Sequence, residues 1–306
     1  KMRHLLSLFD LTTDEIKQIL TYSLQLKAEL AEGNRHSVLA SHNLALLFEK
    51  PSLRTRVSFE SGISQLGGHA LFLGQEVGWG KRESVKDFSE VLSQYVDVIA
   101  CRSYKHSTLE QLVEYSTVPV INALTDYSHP CQALADVLTI QEEFESLENR
   151  HLVFVGDANN VSRSLAIACG KLGLKFTLAG PAAYQFTDQE KTEIESGCTV
   201  ANFEQTEDAV GAVASADAIY TDVWASMGQE KEQKQREQDF ADYQVNESLM
   251  AAAPEHAIFL HCLPAKRGQE VTDAVMDGAQ SRVVAQAGNR MHAQKGLLVW
   301  LLNKQL

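Results

Sequence analysis

The chain has 306 residues, of which 44% are hydrophobic and 22% are charged, and its formal net charge is −13. So acidic a chain lacks the basic field that a nucleic-acid partner requires, and no apolar run approaches the ~20 residues of a membrane-spanning helix. The length predicts two domains.

The cysteines indicate a reducing environment. They stand at positions 101, 131, 169, 198 and 262, are odd in number, and form no CxxC pair. This pattern argues against a disulfide framework and against a structural zinc. The first residues lack a signal-peptide core, because the apolar run 5–9 is broken by polar residues. We therefore expect a cytoplasmic protein without a bound metal.

Segments with apolar residues at helical spacing alternate along the chain with short apolar runs that are typical of strands. Helices are predicted at 14–32, 57–66, 84–95, 108–115, 130–144, 161–172 and 286–302, and strands at 44–48, 69–73, 96–101, 119–123, 151–155, 176–179, 218–221 and 257–261. This order is typical of α/β proteins, and it predicts two doubly wound domains with mainly parallel sheets.

A polar run at 145–150 marks the predicted domain junction. One domain is expected at 1–145, with the C-terminal helix at about 289–306 packing back on it, and the other at 146–288. In such sheets ligands bind at the carboxyl ends of the strands. Functional residues are therefore expected in the loops that follow strands.

The loop after the strand at 44–48 has the features of an anion site. Ser52 stands where the N-cap of the next helix should be, and the amides that follow point forward from the positive end of that helix. Arg54 and Arg56 oppose the helix dipole there, so they do not stabilise the helix. A phosphate group would explain them, whereas the alternative is a plain cap beside solvated arginines.

A second candidate follows the strand at 119–123. His129 precedes Pro130, a residue well suited to the first turn of a helix, and shares a helix face with Gln132. A histidine at a helix N-terminus is biased towards its neutral form, which can polarise a carbonyl group. The alternative is a capping histidine with a surface glutamine.

Two loops of the second half carry further candidates. Asp222 follows a strand and is a suitable partner for a cationic ligand, while Met227 and Gly228 suggest a mobile loop. One alternative is a polar strand exit followed by a charged helix, and another is that the very polar run 229–239 forms a flexible flap. His261 and Cys262 follow another strand. Metal binding by that pair is disfavoured, because neighbouring strand residues point to opposite faces.

The segment 155–160 does not match a dinucleotide-binding turn. A G-x-G-x-x-G pattern needs glycines where this chain has Ala158 and Val161. Its asparagines suit an amino-acid carboxylate or amide better, and no cofactor is predicted.

Taken together, these segments resemble the aspartate/ornithine carbamoyltransferase family, on its ornithine-using side. The resemblance covers nearly the whole chain and rests on seven segments in order: 52–56 (SLRTR), 101–103 (CRS), 129–132 (HPCQ), 156–160 (GDANN), 222–228 (DVWASMG), 261–264 (HCLP) and 289–295 (NRMHAQK). It implies transfer of the carbamoyl group of carbamoyl phosphate to the δ-amine of L-ornithine, giving L-citrulline and phosphate in arginine metabolism, with biosynthesis expected.

The resemblance also implies site residues. Carbamoyl phosphate is assigned to Ser52, Leu53, Arg54, Thr55, Arg102, His129, Gln132, Leu263 and Arg290. Ornithine is assigned to Asn160, Asp222, Ser226, Met227 and Cys262. Thr55, Arg102, His129 and Cys262 are the implied catalytic residues. The first domain would bind carbamoyl phosphate and the second ornithine, with the active site in the cleft between them and three copies forming a homotrimer.

Three segments depart from the family pattern. Leu53 stands where threonine is common, so an N-acylated ornithine or putrescine is an alternative substrate. Gly288 stands where an acidic residue is expected before Arg290, which alters the surroundings of that arginine, and the loop 74–82 does not match the family sequence, so no site residue is assigned to it. Aspartate as the acceptor would need cationic residues in place of Asp222. A catalytically silent regulatory paralogue is the remaining alternative, although such proteins usually lose the arginines or the histidine that this chain retains.

Overall fold

The computed structural model describes residues 2–198, 203–226 and 228–306. The chain divides into two compact units, one formed by Lys1–Leu138 with Gly288–Leu306 and the other by Thr139–Ala287. Each unit contains one sheet whose strands are all parallel, with helices between successive strands. The predicted fold class, α/β with two mainly parallel sheets, is confirmed. None of the helices in the described ranges has both the length and the apolarity that crossing a bilayer would require.

The first unit has a four-stranded sheet in the order β2-β1-β3-β4. Its elements are α1 (Thr13–Ala31), β1 (Asn43–Phe48), α2 (Leu53–Gln65), β2 (His69–Leu73), α3 (Val85–Leu92), β3 (Val98–Arg102), α4 (His106–Tyr115) and β4 (Val120–Leu124). Helix α5 (Pro130–Phe144) leads from this unit into the second, and α12 (Val283–Leu301) leads back.

Local sequence explains how β1 and α2 place the loop between them. Strand β1 is buried from Leu44 to Phe48, as expected for the interior of a parallel sheet. Ser52 is the N-cap of α2 and its Oγ accepts a hydrogen bond from the Thr55 amide at 3.2 Å, as predicted. The helix ends before Gly67, whose φ of +83° favours glycine.

The second unit has a five-stranded sheet in the order β7-β6-β5-β8-β9. Its elements are β5 (His151–Val155), α6 (Asn160–Leu172), β6 (Lys175–Ala179), α7 (Asp188–Ser196), β7 (Phe203–Thr206), α8 (Ala209–Val213), β8 (Ala218–Thr221), α9 (Gln233–Asp239), α10 (Glu247–Ala252), β9 (Ile258–His261) and α11 (Asp273–Met276). The backbone packs so closely where β5 and β6 end that Gly180 has no room for a side chain. A Cβ there would lie 2.1 Å from the carbonyl oxygen of Gly156.

The sequence patterns missed the polar elements of the second unit. Strand β7 is an edge strand in which only Phe203 is buried, so it lacks an apolar run. Of the two alternatives for 229–239, the structure shows the charged helix and not the flap, because Gln233–Asp239 is helical and its Arg236 is buried. This helix is anchored by an ion pair instead of an apolar stripe.

Candidate functional site

In the first unit, three loops meet at the carboxyl edge of the sheet. Strand register places Phe48 beside Arg102, and Arg102 beside Leu124, at the ends of β1, β3 and β4. The loop after β1 carries Ser52 and the start of α2. The loop after β4 leads to His129. The predicted residues of this half therefore come from adjacent strand ends.

Two buried guanidinium groups converge on the hydroxyl of Thr55. Arg102 Nη1 donates to Thr55 Oγ1 at 3.4 Å, and Arg290 Nη2, from α12, donates to the same oxygen at 3.3 Å. Arg290 Nη1 also donates to the side-chain oxygen of Gln132 at 2.7 Å. The three side chains assigned from β3, α2 and α12 are thus brought together within one unit.

The cluster carries an excess of positive charge. Burial, followed by the positive charges of Arg290 and Arg54, lowers the pKa of Arg102 to about 10. In the described ranges, neither Arg54 nor Arg102 forms an ion pair, and Arg102 Nε has no hydrogen-bond partner. Cations held this close repel one another, so a phosphate dianion would be stabilised strongly here.

His129 lies in the same field and is 5% exposed. Burial is the main cause that lowers its pKa well below 6.5, followed by the positive charges of Arg290 and Arg102. The imidazole is therefore neutral near pH 7, in agreement with the sequence-based expectation. A neutral imidazole keeps one N–H group that can donate to a carbonyl oxygen.

Three residues of the motif segments have surroundings that the sequence did not predict. Arg56 does not join the anion cluster, because its Nε donates to Glu60 at 2.9 Å and its guanidinium stacks 3.7 Å from the ring centre of Phe72. The prediction that both arginines serve the anion was therefore wrong for Arg56. Leu53 is 74% exposed, and Gln132 uses its side-chain oxygen to hold Arg290.

In the second unit, the ends of β5, β8 and β9 lie side by side. Register places Val155 beside Thr221 and Thr221 beside His261, and Thr221 Oγ1 donates to the carbonyl oxygen of Val155 at 2.7 Å. The loops that begin at Gly156, Asp222 and Cys262 therefore share one edge of this sheet. These loops carry the residues assigned to the second substrate.

Asp222 is the centre of this edge and is half-buried. Its Oδ1 accepts hydrogen bonds from the Val223 amide at 2.8 Å and from the Cys262 thiol at 3.2 Å. Its Oδ2 accepts from Asn159 Nδ2 at 3.3 Å. The Cys262 sulfur is thus placed to donate to a carboxylate oxygen.

A buried ion pair supports this edge from behind. Arg236 Nη1 donates to Asp157 Oδ2 at 2.8 Å and to the Trp224 carbonyl oxygen at 3.0 Å. Asn159 Nδ2 lies 3.3 Å from both Asp157 Oδ1 and Asp222 Oδ2. The pKa of Asp157 is raised to about 6, mainly by burial and also by the charge of Asp222, against the opposing effect of the Arg236 guanidinium. A chain of polar contacts thus links Arg236 to Asp222.

The remaining residues predicted for the second substrate are only partly described. Asn160 is the first residue of α6 and is half-buried, and Ser226 is half-buried with its amide donating to Gln229 Oε1 at 3.0 Å. Met227 lies outside the described residues. The Leu263 amide donates to His261 Nδ1 at 2.9 Å.

The side chains of Asp222, His261 and Cys262 could reach a common metal ion, since their donor atoms lie within 4.8 Å of one another. The argument that His261 and Cys262 point apart was therefore wrong, because the strand ends at His261. However, His261 Nδ1 already accepts from Leu263, so its Nε2 carries the proton and donates to Glu270 Oε1 at 2.9 Å. A metal would have to displace one of these buried hydrogen bonds.

Sequence reasoning named Asn159 only as one of two asparagines suited to an amino-acid ligand, and it missed Arg236. The local role of Asn159 is that of the N-cap of α6, with Ser162 in a capping box. Arg236 gave no signal, since it is a lone arginine within a run of charged and amide residues whose buried partner lies 79 residues away in sequence.

The fold and these two edges define a class of protein, the two-unit parallel α/β proteins with a polar site in each unit. One sheet edge gathers guanidinium groups, and the other carries a carboxylate with a thiol. Such groups suit small charged substrates. Family models match both units. Residues 3–142 match the "Aspartate/ornithine carbamoyltransferase, carbamoyl-P binding domain", and residues 148–301 match the "Asp/Orn binding domain" of that family.

Individual relatives agree over nearly the full length. The chain is 50% identical to ornithine carbamoyltransferase of Halalkalibacterium halodurans, covering 99% of this chain and 96% of the relative. It is 47% identical to the anabolic ornithine carbamoyltransferase of Pyrococcus furiosus, covering 98% and 96%. A solved structure of the ornithine carbamoyltransferase from Pyrococcus furiosus superposes with a TM-score of 0.95 at 46% identity, covering 99% and 98%. The chain belongs to the aspartate/ornithine carbamoyltransferase family.

Proposed function

We propose that this protein transfers the carbamoyl group of carbamoyl phosphate to the δ-amine of L-ornithine, giving L-citrulline and phosphate in arginine biosynthesis. The δ-nitrogen forms a bond to the carbamoyl carbon, the bond from that carbon to the phosphate oxygen breaks, and the amine loses one proton. Relatives named for this reaction, one of them as the anabolic enzyme, support the proposal. Its residue roles rest on the contacts at the two sheet edges and, for Asn160, Met227 and Leu263, on the family resemblance.

The observation that carries the proposal is the convergence of Arg102 and Arg290 on Thr55, with the charge of Arg54 acting on Arg102. The Ser52 cap and the amides at the start of α2 add donors at the positive end of a helix. Together they would hold the phosphate group and offset the charge that grows on it as it leaves. Leu53 would contribute its backbone amide, because its side chain has no hydroxyl.

The carbonyl oxygen of the carbamoyl group becomes an oxyanion as the amine attacks. Thr55, Arg102 and neutral His129 would donate towards that oxygen, and preorganised donors of this kind account for a large part of many enzymatic rate enhancements. Gln132 would act through Arg290, which it holds at 2.7 Å. The reaction in this scheme proceeds without a covalent intermediate between the protein and the substrate.

The attacking amine must be uncharged, although a free alkyl amine has a pKa of about 10.4. Asp222 would bind the α-ammonium group and leave the δ-amine without a counter-charge. Cys262, protonated and hydrogen-bonded to Asp222, would give the δ-amine a poorly hydrated neighbour that disfavours the ammonium form. Asn160, Ser226 and Met227 would bind the rest of the amino acid, and Leu263 would contact the carbamoyl group.

The chemistry requires the two substrates to meet, so the reacting complex must bring the two sheet edges face to face. We therefore propose that 1–145 with the helix at 289–306 binds carbamoyl phosphate and that 146–288 binds ornithine. No residue role in this scheme requires a cofactor or a metal.

A substrate screen tests the proposed function. The purified chain, given carbamoyl phosphate with L-ornithine, N-acetyl-L-ornithine or putrescine, should form a carbamoylated product at a measurable rate only with L-ornithine. A preference for either analogue would identify that analogue, and not ornithine, as the substrate. No product with any amine would favour a silent paralogue.

Arg236 provides a prediction for the ornithine half. Arg236→Gln should raise the KM for ornithine about tenfold, because second-layer hydrogen bonds are commonly worth that much. Removing the guanidinium raises the pKa of Asp157 above its present value of about 6, so the carboxylate that holds Asn159 becomes protonated as the pH falls towards neutrality. The increase in KM should therefore be larger at about pH 6.5 than at about pH 8, as measured by initial-rate kinetics.

Two controls accompany this prediction. Arg236→Lys keeps the charge and should recover part of the affinity. Lys234→Gln removes an exposed cation from the same helix and should leave the KM unchanged. An Arg236→Gln enzyme with normal KM at both pH values would show that the ion pair does not support the site.

A homotrimer and a cytoplasmic location complete the proposal. Leu53 and Val57 on α2, together with Leu71 on β2, are exposed apolar side chains that a second copy of the chain could cover. None of the five cysteines, all within the described ranges, forms a disulfide, as suits a reducing compartment. Sedimentation equilibrium of the purified protein should give three times the mass of 33.8 kDa.

A further inference from the structure

The turn that delivers His129 is fixed by the side chain of Thr125. This threonine is fully buried, and its amide donates to the Ser128 carbonyl oxygen at 3.0 Å. Its Oγ1 accepts from the Ser128 amide at 3.3 Å. The turn from 125 to 128 is therefore closed by both the backbone and the hydroxyl of one residue, directly before His129.

Asn122 connects this turn to the sheet. It is a fully buried residue of β4, and its Nδ2 lies 3.2 Å from Thr125 Oγ1 and 3.3 Å from the Ser128 carbonyl oxygen. Its Oδ1 accepts from the Leu124 amide at 2.9 Å. A single side-chain amide thus contacts both ends of the turn.

The N-terminal segment holds Asn122 from the other side. The Leu5 amide donates to the Val120 carbonyl oxygen at 2.9 Å, and the Asn122 amide donates to the Leu5 carbonyl oxygen at 2.7 Å. Asn122 Nδ2 also donates to the Leu6 carbonyl oxygen at 2.8 Å. The first residues of the chain therefore lie alongside β4 and contact the same amide that holds the turn.

Helix α4 supports the turn from a third direction. His106 Nδ1 forms a hydrogen bond with Thr125 Oγ1 at 2.8 Å, and the His106 amide donates to Asp126 Oδ1 at 2.8 Å. Burial lowers the pKa of His106, so this contact is made by a neutral ring. Three separate segments meet at the Thr125 hydroxyl and the Asn122 amide, although neither residue belongs to the motif segments.

We propose that Asn122 and Thr125 are positioning residues that set the imidazole of His129 against the carbonyl oxygen of carbamoyl phosphate. This inference rests on the proposed function. It assigns them no contact with substrate, because they act on the backbone that precedes His129. The phosphate group is held by other elements, namely the start of α2, β3 and α12.

A consequence of this division is a specific kinetic signature. Loosening the turn should lower kcat, since a misplacement of about 1 Å can cost ~100-fold in rate, while the affinity for phosphate stays unchanged. A general loss of structure would instead weaken both. The signature therefore separates positioning from a purely structural role.

Thr125→Val and Thr125→Ser provide the central test. Valine keeps the shape but removes the hydroxyl, and kcat for citrulline formation should fall about tenfold or more. Serine restores the hydroxyl and should restore most of the rate. Inorganic phosphate, titrated by calorimetry, should bind both variants within about twofold of the parent protein. Ser89→Ala, which removes another buried hydroxyl of this unit (bonded to the Leu112 carbonyl oxygen at 2.8 Å), is the matched control and should leave kcat unchanged.

A double-mutant cycle with His129→Asn shows whether the effect passes through the imidazole. In that background Thr125→Val should change kcat by no more than about twofold, because the group that it positions is gone. If Thr125→Val does not fold, Asn122→Asp is measured in the same cycle; it keeps the acceptor for Leu124 but loses the donations to Leu6 and Ser128.

Several outcomes would overturn the inference: normal kcat in Thr125→Val, no recovery in Thr125→Ser, weaker phosphate binding in parallel with kcat, or an undiminished effect in the His129→Asn background. Citrulline formation by the parent protein is measured first. Its absence would refute the proposed function itself, which distinguishes that failure from failure of the positioning role.

Discussion

Replacing Arg54 by glutamine should reduce the affinity for carbamoyl phosphate and for inorganic phosphate by about 100-fold, ~2.7 kcal/mol, without destabilising the unliganded protein. Arg54 has no ion-pair partner in the described ranges, and its charge lowers the pKa of the buried Arg102. Its removal relieves repulsion in the empty site and removes a donor from the occupied one. Calorimetric titration with phosphate and thermal unfolding without ligand measure the two effects separately.

Arg56 offers a matched control within the same motif. It is two residues away, but it pairs with Glu60 and stacks on Phe72. Arg56→Gln should therefore change phosphate affinity by less than about threefold, as for an exposed pair. Equal losses in the two variants would mean that general positive charge, instead of a built site, binds the anion. A marked fall in the unfolding temperature of Arg54→Gln would show that the charge of Arg54 is balanced by another group of the unliganded protein.

The elements that carry the first sheet edge could be predicted because each has a strong local signal. Strand β1 is an uninterrupted apolar run, and Ser52 caps α2 in a way that short-range rules describe. Parallel strands then bring their carboxyl ends together, so loops distant in sequence become neighbours. The close placement of Arg102 and Thr55 follows from that topology.

Side-chain direction could not be predicted in the same way. Arg54 and Arg56 look equivalent in the sequence, but successive positions on a helix turn by about 100° each, so residues two apart face different directions. Only the position of Phe72 shows where Arg56 goes. The sequence likewise could not show that His261 and Cys262 aim their donor atoms together, since this depends on where β9 ends.

The support behind both edges was invisible for a physical reason. Arg236 reaches Asp157 across 79 residues, and Asn122 reaches Leu6 across 116. Polar contacts of this range leave no periodicity in the sequence. Their members are buried polar groups that must find partners, so the folded chain is needed to identify which partners they find.

Replacing Asp222 by asparagine should raise the KM for ornithine about 100-fold, which is the scale of a lost charge-assisted contact in a partly buried site. The change keeps the shape of the side chain and one oxygen that can accept from Cys262 and Val223. The residues proposed to hold the phosphate group lie in the other unit, so the affinity for inorganic phosphate should stay within about twofold. Asp242→Asn, which neutralises an exposed carboxylate of the same unit, is the matched control.

L-Norvaline, which is ornithine without its δ-amine, shows which end of the substrate Asp222 binds. If Asp222 pairs with the α-ammonium group, inhibition by norvaline should weaken in Asp222→Asn by about the same factor as the ornithine KM. If norvaline inhibits the parent and the variant equally, Asp222 contacts the δ-nitrogen instead. That result would contradict the proposed mechanism, because a carboxylate beside the δ-nitrogen would stabilise the charged ammonium form that cannot attack.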